Sequence, residues 1–219
     1  MKYKLYIFDL DGTLIDTSYG IKKALFEFEC RYGLAHFPPE NVGVMIGPPI
    51  NEGISKTHPE LAGEHIINYC HKFDEFYNIY MNYDACAYPG ILDLLDRIHQ
   101  MGGIVAIDTA KLERQALSIL EQTGVLAKID YIEAWTEEKN NKPLLVDNLF
   151  KTTGISRKEA VLIGDSHFDG EAAMANDADL IAVTYGFEFK NDEDALPYKP
   201  VNVVGTVDKL TEIIEQYLK

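Results

Sequence analysis

From Ile91 onward the chain alternates short apolar runs with amphipathic stretches, and this alternation restricts the fold more than any other feature. Residues 104–107, 131–132, 160–163, 180–184 and 201–204 read as buried strands. Between them, residues 91–101, 112–123, 143–152 and 207–217 carry helical periodicity, and residues 172–176 sit within a further helix. Strands that are apolar on both faces and separated by single helices predict a mostly parallel sheet covered by helices on both sides. An earlier strand, Leu5–Phe8, belongs to the same sheet, so the expected class is α/β with a Rossmann-like core.

The alternation breaks immediately after that first strand. Ser18 reads as the cap of a helix reaching about Tyr32, residues 37–50 are a Pro- and Gly-rich connection, and residues 60–82 form a second helical region. Ile66, Ile67, Cys70, Phe73, Tyr77, Tyr80 and Met81 give that region a broad apolar and aromatic surface suited to helix packing. The expected organisation is a core of residues 1–15 and 88–219, with residues 16–87 inserted as an α-helical cap.

Composition limits the partners. With 35 acidic and 20 basic side chains the formal charge is −15, a field that disfavours nucleic acid and anionic membranes and favours a divalent cation. No run approaches membrane-spanning length and no signal peptide is evident, so a cytoplasmic protein is expected. Cys30, Cys70 and Cys86 lack paired spacing and read as reduced packing cysteines. Monomer and homodimer are both open.

The first strand ends in Phe8-Asp9-Leu10-Asp11-Gly12-Thr13-Leu14. Alternate residues of an extended chain share a face, so Asp9 and Asp11 can address one crevice at the carboxyl edge of the sheet. Two neighbouring carboxylates call for a shared proton or a cation such as magnesium; alone, the pattern leaves open a simple turn with carboxylates capping backbone amides. Three later segments add to it. Thr109 follows the strand at 104–107 and offers a hydroxyl to a phosphate oxygen, although it also suits a helix cap and adjoins the unfavourable charge of Asp108. Lys142-Pro143 opens a helix, with Lys142 just outside it and able to compensate anionic charge. Gly164-Asp165-Ser166-His167-Phe168-Asp169 exits another strand: Asp165 is placed to share a cation with Asp9, Asp169 to reach it through water or to support Lys142, and His167 to serve as a loop or water contact.

In this order the four segments resemble the haloacid dehalogenase superfamily, specifically its magnesium-dependent, phosphoglycolate-phosphatase-like branch, over essentially the whole chain. Asp9 to Leu14, Thr109, Lys142 and Gly164 to Asp169 match its four motifs, and Asp16 matches an aspartate often found after the first. Ala110, Leu145 and Asn176-Asp177 depart from the commoner residues at their positions.

The resemblance implies hydrolysis of a small phosphorylated metabolite. Asp9 would be the nucleophile, Asp11 the proton donor and acceptor, and Thr109 and Lys142 the phosphoryl-holding groups. Mg2+ would be held by Asp9, Asp165 and the backbone carbonyl of Asp11, with Asp169 supporting the metal or the lysine. Val44-Met45-Ile46-Gly47-Pro48-Pro49 resembles a cap loop of small phosphatases that approaches the leaving group. A sugar phosphomutase and a phosphate-binding regulatory protein remain as alternatives.

Overall fold

The computed structural model describes residues 1–48, 50–61, 63, 65–136 and 138–219. Pro49 of the cap loop, and Ala62 and Glu64 of the helix expected over 60–82, lie outside them. The elements are β1 (Leu5–Phe8), β2 (Ile15–Asp16), α1 (Ser18–Tyr32), α2 (Ile50–Thr57), α3 (Ile66–Tyr80), β3 (Cys86–Ala87), α4 (Ile91–Gln100), β4 (Ile104–Leu112), α5 (Glu113–Gln122), β5 (Tyr131–Trp135), α6 (Lys142–Thr153), β6 (Ala160–Gly164), α7 (His167–Ala175), β7 (Asp179–Val183), α8 (Asp192–Ala195), β8 (Asn202–Val204) and α9 (Val207–Leu218).

Six strands form a parallel sheet in the order β5-β4-β1-β6-β7-β8. The strands are two-sided, as their apolar runs require. Tyr6, Phe8, Val105, Ile107, Val161, Ile163, Ile181 and Val183 pack on one face with α4, α5 and α9. Leu5, Ile7, Ala106, Ala160, Leu162, Leu180 and Ala182 pack on the other with α6 and α7. Fully burying one such aliphatic side chain is worth about 1.5–3 kcal/mol, and a one-residue slip of register would exchange the two sets between layers packed to fit the other. Sequence order reverses at β1, which lies between β4 and β6, and a doubly wound sheet opens a crevice at such a switch point.

The chain leaves the core through β2 and returns through β3, which pair antiparallel as a two-stranded ribbon. Between them the inserted helical cap has its own apolar core, in which Phe28 meets Tyr32, Tyr69, Phe73 and Phe76. Three details differ from the sequence reading. The connection expected over 37–50 holds a 3-10 helix, Pro39–Met45, and runs into α2, a helix the Pro and Gly content concealed. Thr17 rather than Ser18 precedes the first helix, while the Asp16 carboxylate accepts from the Ser18 N–H at 2.9 Å. Only Cys70 is a buried packing residue; Cys30 and Cys86 are exposed. No helix among the described residues is long and apolar enough to cross a membrane.

Candidate active site

β1 and β6 are adjacent strands, and their carboxyl ends deliver Asp9 and Asp165 to the same crevice. The Asp9 N–H continues the ladder to Ile163 O at 2.9 Å, which fixes the first carboxylate before the chain turns. The turn depends on Gly12, whose φ is +86° and whose missing Cβ leaves room for the Asp165 carboxylate and the Phe187 ring. Gly164 serves a similar purpose at the end of β6, where a Cβ would collide with Asp169.

Lys142 is the first residue of α6, not a residue outside it. The Asn141 side chain caps that helix by accepting from the Leu144 N–H at 3.0 Å, and Pro143 sits in its first turn. The buried Lys142 ammonium donates to Asp9 Oδ1 at 2.6 Å and to Asp169 Oδ1 at 2.5 Å. Asp169 in turn uses Oδ2 to accept from the Ser166 N–H at 3.0 Å and hydroxyl at 2.6 Å. Both its oxygens are thus engaged, and its shortest link to the crevice is the lysine.

Asp165 is held from the loop that follows β7 and from the turn after β1. Its Oδ2 accepts from the Phe187 N–H at 2.5 Å and the Glu188 N–H at 3.4 Å, and Thr13 donates to Oδ1 at 3.4 Å. Carboxylate oxygens of Asp9, Asp165 and Asp169 lie within 4.8 Å of one another, a group able to hold a divalent cation such as Mg2+. Burial, reinforced by the neighbouring carboxylates, lifts Asp9 well above the ordinary carboxyl range and Asp165 to about 7. Lys142 moves the other way from what burial alone would do, because Asp108, Asp169 and Asp9 together hold its ammonium well above the usual lysine value.

The Phe8–Ile107 pairing leaves Asp108 and Thr109 at the same sheet edge as Asp9. Asp108 does not point to solvent. It is buried, with Oδ2 3.7 Å from Lys142 Nζ and without a hydrogen bond, and burial raises it to about 6. Thr109 is buried, and its hydroxyl oxygen accepts from the Lys111 N–H at 3.2 Å. The strand continues past it to Leu112 with a shift of register, so no helix terminus follows directly.

Asp11 faces a different set of partners from Asp9. Thr17 donates to its Oδ1 at 2.5 Å, and Lys111 Nζ stands 3.3 Å from its Oδ2. Its side chain is outside the three-carboxylate group. His167 pairs with Glu188 through Nδ1 at 2.5 Å.

Sequence reasoning passed over two contributors. Lys111 lies two residues beyond Thr109, a spacing that in an extended strand could have flagged it. The Phe187 and Glu188 amides carry no side-chain signature, and only Gly186 just past β7 hinted at a close approach; a Cβ there would strike Asp165.

A family model described as haloacid dehalogenase-like hydrolase matches residues 6–183. Pyrophosphatase PpaX of Halalkalibacterium halodurans is 24% identical over 219 residues, 98% of each chain. A phosphoglycolate phosphatase of Agrobacterium fabrum is 28% identical over 98% of this chain and 93% of its own. Among solved structures, a haloacid dehalogenase-like family hydrolase from Streptococcus pneumoniae superposes with a TM-score of 0.89, at 23% identity, over 97% of this chain and 99% of that one.

Proposed function

The chain belongs to the haloacid dehalogenase-like hydrolase family, and from that membership we propose that it is a magnesium-dependent phosphatase that cleaves a small phosphorylated metabolite through an aspartyl phosphate on Asp9. The observation that carries the reading is the buried contact between Lys142 and Asp9 at the switch point of the sheet, beside the Asp165 carboxylate. A nucleophilic carboxylate held by a cation that can also meet the incoming phosphoryl group is the arrangement such a transfer needs. Residues 16–87 are taken as the cap domain that covers it.

The residues fit a magnesium ion. Asp9, Asp108 and Asp169 surround the buried Lys142 ammonium and Asp165 is a fourth buried carboxylate beside Asp9 and Asp169, an excess of negative charge presented by hard oxygen donors. Asp9 and Asp165 would hold the ion, with the Asp11 backbone carbonyl. Bound there, it would neutralise charge on the phosphoryl oxygens.

In the first step an Asp9 oxygen attacks phosphorus as the ester P–O bond breaks, and Asp11 gives its proton to the departing oxygen. In the second, Asp11 takes a proton from water, whose oxygen attacks phosphorus and releases Asp9 and inorganic phosphate. Thr109 and Lys142 hold the equatorial oxygens, and Asp169 keeps Lys142 in place.

Phosphoglycolate and pyrophosphate head the candidate substrates, since relatives carry those activities in their names. Phosphate release from a panel including both, with sugar phosphates and nucleoside monophosphates, tests the reading. Magnesium-dependent turnover of at least one, lost in Asp9→Asn and Asp11→Asn, is expected. Equal turnover by wild type and D9N, or an inactive wild type across the panel, overturns it; the second outcome favours a mutase or a phosphate-binding regulator.

A further inference from the structure

The cap and the core meet along a polar seam on α3 and the residues just after it. Tyr77 hydroxyl receives the Lys111 ammonium at 2.5 Å, Gln115 donates to Asn78 Oδ1 at 2.9 Å, Asn82 donates to Ser118 Oγ at 2.9 Å, and Gln122 donates to Asn82 O at 2.7 Å. Three of these four links join the cap to α5. The fourth continues into the crevice, because Lys111 Nζ also lies 3.3 Å from Asp11 Oδ2. Its side chain is only 7% exposed, and the ammonium sits 4.7 Å from the centre of the Tyr77 ring. Thr17, at the start of the cap, donates to the other Asp11 oxygen at 2.5 Å. The carboxylate is therefore gripped on one side by the first residues of the insertion and on the other by a lysine that its last long helix holds.

We propose that Lys111 is a positioning residue for the reaction, through which docking of α3 onto the core sets the orientation of the Asp11 carboxylate. A lysine side chain has several rotatable bonds, and on its own it would hold a neighbour loosely. Tyr77 restricts that freedom: its hydroxyl accepts a hydrogen bond from the ammonium, which lies beside the edge of the ring. When α3 is docked, Lys111 has one position and Asp11 one rotamer. When the helix lifts, Lys111 loses its outer partner, and the carboxylate loses the geometry that proton transfer needs. A cap closed over substrate is then also the state in which the acid is aimed.

The proposal rests on the reading of Asp11 as proton donor, and leaving-group dependence separates the two. Donation matters for an alkoxide and little for p-nitrophenolate, which departs without a proton. The readout is kcat/KM, which covers the steps up to transfer onto Asp9, for 2-phosphoglycolate (or the alkyl phosphate turned over fastest) and for p-nitrophenyl phosphate. D11N, Lys111→Met, Tyr77→Phe and the Y77F/K111M double variant are compared with wild type. D11N is expected to lose roughly 10²-fold or more on the alkyl ester and far less on the aryl ester. K111M should show the same selectivity at roughly tenfold, Y77F a smaller selective loss, and the double variant no more than K111M, since Tyr77 acts through the lysine. If D11N discriminates and the Lys111 and Tyr77 variants lose both substrates equally or neither, the proposal is overturned while Asp11 keeps its role. If D11N itself does not discriminate, the proton-donor reading falls and takes the proposal with it. Should K111M fail to fold, Y77F, which removes a single oxygen, decides the matter by the same ratio.

Discussion

Lys142 Nζ lies 2.6 Å from Asp9 Oδ1 with both side chains buried, so the proposed nucleophile and the cation that would meet the phosphoryl group are locked together before substrate arrives. Asp169 completes the clamp from α7. Lys142→Met would leave Asp9, Asp108 and Asp169 without their shared cation. Removing one partner of a buried pair costs about 3–5 kcal/mol, so a clearly lowered melting temperature is expected. The same variant should lose at least about 10²-fold in kcat/KM, read by phosphate release.

Stability of the metal-free protein should fall as pH rises. Asp108 is raised from 3.8 to about 6 and Asp165 from 3.8 to about 7, so each holds its proton more tightly folded than unfolded. Unfolding releases protons in that window, and the stability present below pH 3.8 is lost progressively as pH rises through about 6 for Asp108 and about 7 for Asp165. Asp108→Asn, which is neutral throughout, should gain on wild type as pH climbs from 3.8 to about 6 and keep that gain above it, and magnesium should raise the melting temperature more above about pH 7 than below about pH 5. Melting curves across this range, with and without magnesium, check both.

Gly12→Ala should be costly on two counts. Its φ of +86° disfavours a side chain, and a Cβ would push into the Asp165 carboxylate and the Phe187 ring. A loss above about 1 kcal/mol in denaturant unfolding is expected, together with weaker magnesium binding by calorimetry, because Asp165 is displaced.

Thr109 is expected to act through its hydroxyl. Thr109→Ala should lower kcat/KM by about 10²-fold, while Thr109→Ser, which keeps the oxygen, should retain most activity. Similar losses in both variants would show that the methyl group, packed in a fully buried position, was what mattered.

Much of this was legible in the chain because the relevant signals are local. The apolar runs that became β1, β4, β6 and β7 are two-sided, and a strand apolar on both faces has few homes outside a covered parallel sheet. Asp9 and Asp165 follow strands, Lys142 opens a helix and Thr109 lies in the carboxyl-terminal half of β4, so the sheet's connectivity gathers them at one edge. Helix α2 was concealed because Gly53 lies within it and prolines precede it. That glycine is required by close packing on Met45, a tertiary contact that no propensity reports. Lys111 was passed over because its partners, Asp11 and Tyr77, are distant in sequence and lie on opposite sides of the cap boundary. The fate of Asp108 was open for a related reason: whether a carboxylate beside Thr109 faces water or Lys142 depends on where α6 docks.

The central claim is that Asp9 becomes phosphorylated, and the most direct measurement is acid quenching during turnover of a radiolabelled phosphomonoester, followed by peptide mapping. The account predicts an acid-stable, hydroxylamine-sensitive label on the peptide bearing Asp9, absent from D9N together with all phosphate release. Label on another residue, or sustained phosphate release by D9N, would contradict it.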